Sequence, residues 1–311
     1  MIEVQNLSKV YGASRAVEDI SFEVGKGEIL GFLGPNGAGK TTTMRVLTCF
    51  MAPTSGTARI AGFDILDNSL EVRRNIGYLP ESAPLYTEMT VRDYLNHVAV
   101  IRGVPKSKRN ERLEAALDAG KIEDRADTII RKLSKGYRQR VGIAQAVIHD
   151  PPVLILDEPS AGLDPRQRVE TRQFIRSLAK DHTIILSTHI LPDVQETCDR
   201  VVIINKGKIV VQDTTANLAG RGGSAEGVTI MLKRPATDVA TKLQALSGVA
   251  KVQAQESIGS EKSFAVSAQP QADIREAVAA LCVQENWGLL ELAHTRTTLE
   301  DVFLDLTTKD E

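Results

Sequence analysis

The chain has few cysteines, no run long enough to cross a bilayer and no excess of charge of either sign. Its three cysteines, Cys49, Cys198 and Cys282, are far apart, odd in number and without metal-ligand spacing. That excludes a disulfide framework and a zinc motif, and predicts free or buried thiols in a reducing compartment. Lys and Arg total 38 against 40 Asp and Glu, so there is no global positive field of the kind that drives binding to nucleic acid, and no nucleic-acid partner is expected. No stretch reaches the roughly 18 consecutive apolar residues that a spanning helix needs, so any membrane role requires a separate partner. Met1-Ile2-Glu3-Val4-Gln5-Asn6 shows no basic segment followed by an apolar run, and a cytoplasmic protein is expected. What remains is an ordinary globular composition, 42% hydrophobic and 25% charged over 311 residues, enough chain for about two domains.

The chain is organised around Gly34-Pro35-Asn36-Gly37-Ala38-Gly39-Lys40-Thr41, which fits G-x-x-x-x-G-K-[ST] at every fixed position. An apolar strand, Glu28–Leu33, precedes it, and Thr42-Thr43-Met44-Arg45-Val46-Leu47 opens a helix after it. Glycines let such a loop curl so that N–H groups and the positive end of the helix dipole face an anion. The expected site therefore holds a phosphate chain in Gly34, Asn36, Gly37 and Gly39, with Lys40 on the β/γ-phosphates, Thr41 on Mg²⁺ and Thr42 as a further contact.

Two further apolar strands end in polar groups. Val153-Leu154-Ile155-Leu156 closes on Asp157 and Glu158, as expected of a buried parallel strand whose carboxyl end meets a ligand. Asp157 suits Mg²⁺ held through water, and Glu158 suits an attacking water. Thr183–Thr188 repeats the design and ends at His189, a candidate γ-phosphate contact. Ser134 precedes an apolar helix as a natural N-cap, and such a helix start can also receive a phosphate from another molecule.

Strands are also expected over 2–7, 16–24, 57–62 and 75–80, with Tyr11 in a turn where its ring either stacks on a base or simply packs. Residues 90–131 shift to helical spacing through Val91, Tyr94, Leu95 and Val98, then Leu113, Ala116 and Leu117. Lys106, Lys108, Arg109 and Arg112 form a basic run there, read as a solvated helix face or a contact to an acidic partner. Val201–Ile204 and Lys208–Gln212 form a hairpin around Asn205-Lys206-Gly207. Residues 213–227, rich in Gly, Ala and Thr, are expected to be a linker. Beyond it, strands at 228–233, 249–255, 262–268 and 288–293 and helices at 237–247 and 271–286 give the β-α-β-β-α-β order of a ferredoxin-like module. A last helix is expected from a capping box at Thr297-Thr298-Leu299-Glu300.

Residues 1–212 resemble an ATP-binding-cassette (ABC) nucleotide-binding domain, with a helical subdomain over about 82–150 and the small α+β module at 228–311 attached. Tyr11 matches the aromatic loop, Gly34–Thr41 the Walker A motif, and Glu81 a position where many members have glutamine. Leu133–Tyr137 matches the signature motif, Leu154–Glu158 the Walker B strand and catalytic glutamate, Ala161–Asp164 the D-loop, and His189 the switch histidine. The signature reads Leu-Ser-Lys-Gly-Tyr instead of Leu-Ser-Gly-Gly-Gln but keeps Ser134 and Gly136. Gly77-Tyr78-Leu79-Pro80-Glu81 and Thr298–Leu304 resemble ABC-2 exporter ATPases of the gliding-associated, drug-export and copper-site-maturation kinds.

The resemblance implies ATP hydrolysis with Mg²⁺ near Thr41, Asp157 and Glu81. It implies catalysis by Glu158, His189 and Lys40, and a head-to-tail pair in which Ser134 and Gly136 of one subunit, with Asp164 at the junction, complete the other's nucleotide site. The pair is a homodimer or two related ABC subunits. A transmembrane permease is the implied partner, placing the chain on the inner face of the cell membrane. Two alternatives stand beside this: a soluble ABC ATPase acting on a non-membrane partner, and a nucleotide-gated module with weak hydrolysis.

Overall fold

The structure, a computed structural model of the chain, describes residues 1–221, 227–255, 261–269, 272–295 and 303. It divides into two compact units, Met1–Thr215 and Ala216–Glu311. The first unit begins with β1 (Ile2–Tyr11), β2 (Ser14–Val24), β3 (Ile29–Leu33), α1 (Lys40–Leu47), β4 (Ser55–Ile60), β5 (Phe63–Asp64), α2 (Ser69–Arg74) and β6 (Ile76–Leu79). Three helices follow, α3 (Val91–Ile101), α4 (Arg109–Gly120) and α5 (Lys135–Val147). The chain then returns to the sheet through β7 (Val153–Asp157), α6 (Pro165–Leu178), β8 (Thr183–Thr188), α7 (Leu191–Thr197), β9 (Arg200–Asn205) and β10 (Lys208–Thr214).

A six-stranded sheet runs in the order β10-β9-β3-β8-β7-β6. Its pairs are parallel from β9 to β6, with β10 added antiparallel at the edge. Every residue of β3, β7 and β8 is buried, which explains why these strands read as unbroken apolar runs and not as alternating ones. A second, antiparallel sheet, β2-β1-β4-β5, lays Ile2, Val4, Ile20 and Phe22 over Leu30, Phe32 and Val202 of the first, with Met44 and Leu47 of α1 in the same core. The β9–β10 hairpin turns on Lys206 and Gly207, at φ 47° and 82°, the paired positive dihedrals of a tight two-residue turn.

In the helical segment the expected apolar stripe is inward: Val91, Tyr94, Leu95, Leu113, Ala116 and Leu117 are buried, and Thr90 caps α3 by accepting from the Asp93 N–H. In the second unit, β11 (Gly227–Leu232), α9 (Val239–Gln244), β12 (Val249–Ala254), β13 (Lys262–Ala268), α10 (Arg275–Gln284) and β14 (Leu289–Thr295) follow the β-α-β-β-α-β order. Their antiparallel sheet runs β12-β13-β11-β14. Its core gathers Val228, Ile230, Phe264, Val278, Cys282 and Trp287.

The first part of the expected 213–227 linker is regular structure. Asp213 and Thr214 extend β10 by pairing with Val201 and Arg200 of β9, and residues 215–221 form α8 (Thr215–Arg221). An available partner strand overrides the weak strand propensity of Asp213, and Ala216, Leu218 and Ala219 are good helix formers. The helix of the phosphate-binding loop also begins at Lys40 and not at Thr42. The helix expected from Thr297 lies outside the described residues.

Candidate functional site

The site is built where β3, β7 and β8 end. Leu33 of β3 is level with Thr188 of β8, and Asp157 of β7 is level with Ser187 of β8. The chain leaving β3 therefore emerges beside His189, with Glu158 one strand further along. Two glycines of the loop are enforced by its surroundings. A Cβ on Gly34 would collide with the Ile204 carbonyl oxygen, and one on Gly39, at φ 107°, would collide with the Ala16 carbonyl oxygen. Only glycine fits so close to neighbouring backbone. Lys40 is 6% exposed. Its Nζ donates to the Gly34 and Pro35 carbonyls at 2.7 and 3.1 Å and lies 3.6 Å from Glu158 Oε1.

Glu158 follows the strand at φ 52°, a left-handed conformation that costs a non-glycine residue about 1–3 kcal/mol and is found at functional sites. Its N–H donates to the Ser187 carbonyl at 2.9 Å. Both carboxylate oxygens lie 2.9 Å from His189 Nδ1, so an ionised carboxylate assigns the proton to Nδ1 and leaves Nε2 uncommitted. Asp157 is fully buried. The Ser187 hydroxyl donates to its Oδ1, whereas Oδ2 has no hydrogen-bond partner among the described residues. Burial raises the Asp157 pKa above its ordinary 3.8; the Ser187 and Thr41 hydroxyls oppose that rise, and the charges of Glu158 and Glu81 add to it.

Lys40, Glu158 and His189 face a cavity of about 390 Å³ lined also by Asn36, Gly37, Gly39, Thr41, Thr42 and Glu81, together with Ala16 and Ala161, whereas Gly34, Asp157 and Ser187 are buried outside that lining. A buried carboxylate with one oxygen unpartnered, beside the Thr41 hydroxyl, fits a magnesium ion that takes few protein ligands and keeps its waters and phosphate oxygens. Ser187 was not expected as part of the site. Its place opposite Asp157 follows from the β7–β8 register, which strand-by-strand reading does not supply.

Comparison with known proteins decides what this cavity belongs to. Residues 17–161 match the family model described as ABC transporter. The bacitracin transport ATP-binding protein of Bacillus licheniformis is 40% identical over 212 residues, 68% of each chain. The uncharacterized ABC transporter ATP-binding protein YhcH of Bacillus subtilis is 32% identical over 316 residues, covering 100% of this chain and 98% of that protein. Among solved structures, the ATP-binding subunit of an ABC transporter aligns with TM-score 0.65 and 33% identity over 72% of this chain and 93% of its own.

The chain belongs to the ABC transporter ATP-binding proteins. It is an ATPase of the transporter class. Apart from Ala161 at the head of the 161–164 segment, the remaining cassette motifs do not line the cavity at the glycine loop. Ser134 is exposed at the start of α5, where its hydroxyl accepts from the Tyr137 N–H at 3.3 Å. Gly136 is buried, with Gln167 Oε1 placed 2.7 Å from where a Cβ would be. Asp164 caps α6 by accepting from the Gln167 N–H at 2.9 Å, so Gln167 links the D-loop helix to the signature helix. Tyr137 is held within its own subdomain, its ring under Arg125 and Arg140 and its hydroxyl donating to Asp124. Tyr11 stands at the end of β1, its hydroxyl donating to Met51 Sδ at 2.8 Å and Lys9 lying 5.4 Å from the ring centroid.

Proposed function

We propose that this chain is the ATP-hydrolysing subunit of an exporter, closing on MgATP as a head-to-tail pair and driving a separate membrane permease from the cytoplasmic face. Among the described residues no helix is long and apolar enough to cross a membrane, so on this reading translocation is the partner's work. Export follows from the Gly77–Glu81 sequence and its likeness to ABC-2 exporter ATPases. The relative named for bacitracin transport supports a transport role of this general kind.

The observation that carries the catalytic reading is Glu158, held in a left-handed turn with Lys40 and His189 on either side and facing the nucleotide cavity. In this mechanism Lys40 neutralises the β/γ-phosphates and Thr41 and Asp157 hold magnesium. The ion supplies charge neutralisation at the transferring phosphoryl group. Glu158 accepts the proton of the attacking water, and His189 orients Glu158 through Nδ1 while turning Nε2 toward the γ-phosphate. Glu81, exposed at the cavity wall, would be available to the metal and the attacking water. Tyr11 lies on the base side.

Ser134 and Gly136 lie outside their own chain's cavity, which favours a site completed by a second subunit. A mixing experiment tests this. Ser134→Arg and Lys40→Ala homodimers should each be inactive, and their heterodimer should retain at most one intact composite site. A Ser134→Arg chain that hydrolyses ATP normally as a monomer rules the pairing out. In sequence, residues 228–311 show no phosphate-binding, metal or nucleophile motif. We assign them, after the cassette of residues 1–212, as a regulatory or dimer-supporting domain.

A further inference from the structure

The basic run of the helical segment does not form one uniformly solvated face. Arg109 Nε donates to the Val104 carbonyl at 2.9 Å, and Lys108 and Arg112 turn toward a second cavity, of about 580 Å³, with Arg74, Arg102, His149 and Asp150. Four element ends meet there: the last residue of α2, the residue after α3, the start of α4 and the segment after α5.

The charges in this cavity do not balance. Arg112 pairs with Asp150, and Arg74 pairs with Glu71 at 2.6 Å. Arg102 and Lys108 have no carboxylate partner among the described residues; Arg102 donates only to the Arg73 carbonyl, at 3.0 Å. Burial lowers the Arg102 guanidinium with nothing acidic to offset it. A partly buried cation without a counter-charge is an unfavourable arrangement that a bound anion relieves. His149 adds a second unsatisfied group. Its Nε2 lies 3.1 Å from the Ile76 carbonyl, which can only accept, so Nδ1 carries the lone pair, and Nδ1 is buried with no hydrogen-bond partner among the described residues. Burial and the Arg102 charge push His149 down to about 4, so it is neutral near pH 7; an anion between the two would reverse the second influence and favour a donating Nδ1–H.

We propose that this cavity binds a phosphate monoester group, separately from the nucleotide site, with Arg102 and Lys108 neutralising its charge and His149 Nδ1 contacting its oxygen. Two unpaired cations match the charge of a monoester, and the volume falls within the roughly 300–1,000 Å³ of small-molecule pockets. Two sources share this chemistry. A soluble phosphate ester needs only the cavity. A phospholipid headgroup would also use exposed Leu70, one helical turn before Arg74, and exposed Ile101, next to Arg102.

The test uses the full chain, with the nucleotide site held by saturating ADP. sn-Glycerol 3-phosphate is titrated while the ring nitrogens of His149 are followed by NMR. A saturable shift is expected, with Nδ1 moving toward its protonated position. Arg102→Gln and Lys108→Gln should each weaken binding about tenfold, the effect of one charge-assisted contact. Lys108 is exposed and its side chain bonds to nothing among the described residues, so its variant isolates the charge from folding. Co-sedimentation with phosphatidylcholine vesicles, with and without phosphatidate, separates the sources. Lys108-dependent capture by phosphatidate identifies a headgroup; no capture, with the titration retained, identifies a soluble ester. An unmoved His149 signal, or equal affinity in wild type and Lys108→Gln, overturns the site.

Discussion

Replacing Glu158 by glutamine separates the carboxylate's charge from its shape. The amide oxygen can still accept from His189 Nδ1, so the 2.9 Å geometry has a partner of the same size. What disappears is one negative charge 3.6 Å from Lys40 Nζ. At an effective dielectric of about 20 that pair attracts by roughly 5 kcal/mol gross. The net loss to the nucleotide-free protein is smaller, about 1–3 kcal/mol, because much of the attraction offsets desolvation and Lys40 keeps the Gly34 and Pro35 carbonyls. The melting temperature without nucleotide should therefore fall, by about 2–4 °C per kcal/mol for a unit of this size. ATP brings its own negative charge to Lys40 and no longer meets that of Glu158, so its affinity should hold or rise. Turnover should fall by about 10²–10⁴-fold, the span of a lost general base. Phosphate release, titration calorimetry with MgATP, and melting with and without nucleotide measure the three quantities. The opposite signs of apo stability and ATP affinity are the signature. Turnover within about threefold of wild type, well inside the loss expected for a general base, removes Glu158 from the proton-accepting role.

Three further outcomes follow from the same geometry. Asp157→Asn should stabilise the metal-free protein near neutral pH and abolish any Mg²⁺-dependent rise in melting temperature. Burial raises the folded pKa of Asp157 above the ordinary 3.8, so the ionised group costs stability above that pKa and the cost fades as pH falls through it; a lower melting temperature for the metal-free Asn variant at pH 7 contradicts this. Gly39→Ala places a methyl against the Ala16 carbonyl at φ 107°, at a cost of roughly 3 kcal/mol or more, and calorimetry should find ATP binding lost; a variant with normal affinity and stability refutes the close-approach argument. A chain ending after Thr215, which keeps all of β10 and the Thr215 N–H bond to the Asp199 carbonyl, should fold and show an ADP-dependent rise in melting temperature, whereas aggregation would show that residues 216–311 are needed for the cassette to fold.

The parts of the site that were legible in the sequence are those whose residue types have few uses. Three fully buried strands read as apolar runs, and a glycine loop with Lys40 and Thr41 has little meaning apart from phosphate. The parts that were not legible depend on partners. Ser187 holds Asp157 only because β7 and β8 pair in that register. Helix α2 has a single buried residue, Val72, and β5 is two residues long, so neither carries a period. Helix α6 begins with Asp164 and Pro165, a cap followed by proline in the first turn, but it buries only Thr171, Phe174, Ile175 and Leu178, and motif reading of 161–164 stopped at the loop. The regular structure at the start of the expected linker was not legible for a related reason, since the strand content of Asp213 and Thr214 lies in the hydrogen bonds offered by β9.

On the proposed head-to-tail reading, sheet order explains why one chain would supply most of a nucleotide site and not all of it. β3, β8 and β7 are consecutive, about 4.8 Å apart, so Gly34, His189 and Glu158 leave three adjacent strand ends within the reach of one phosphate chain. The signature serine follows a different rule, because its position is set by α5, whose first residues lie outside the cavity formed by those ends. Its hydroxyl caps its own helix, and the exposed start of α5 takes no part in lining Lys40's cavity. On the head-to-tail reading, the phosphate that meets that helix start belongs to another subunit. The coupling of Gly136 to Asp164 through Gln167 then gives the interface a lever: closing on the partner's ATP would press on Gln167, and with it on the D-loop that begins three residues after Glu158.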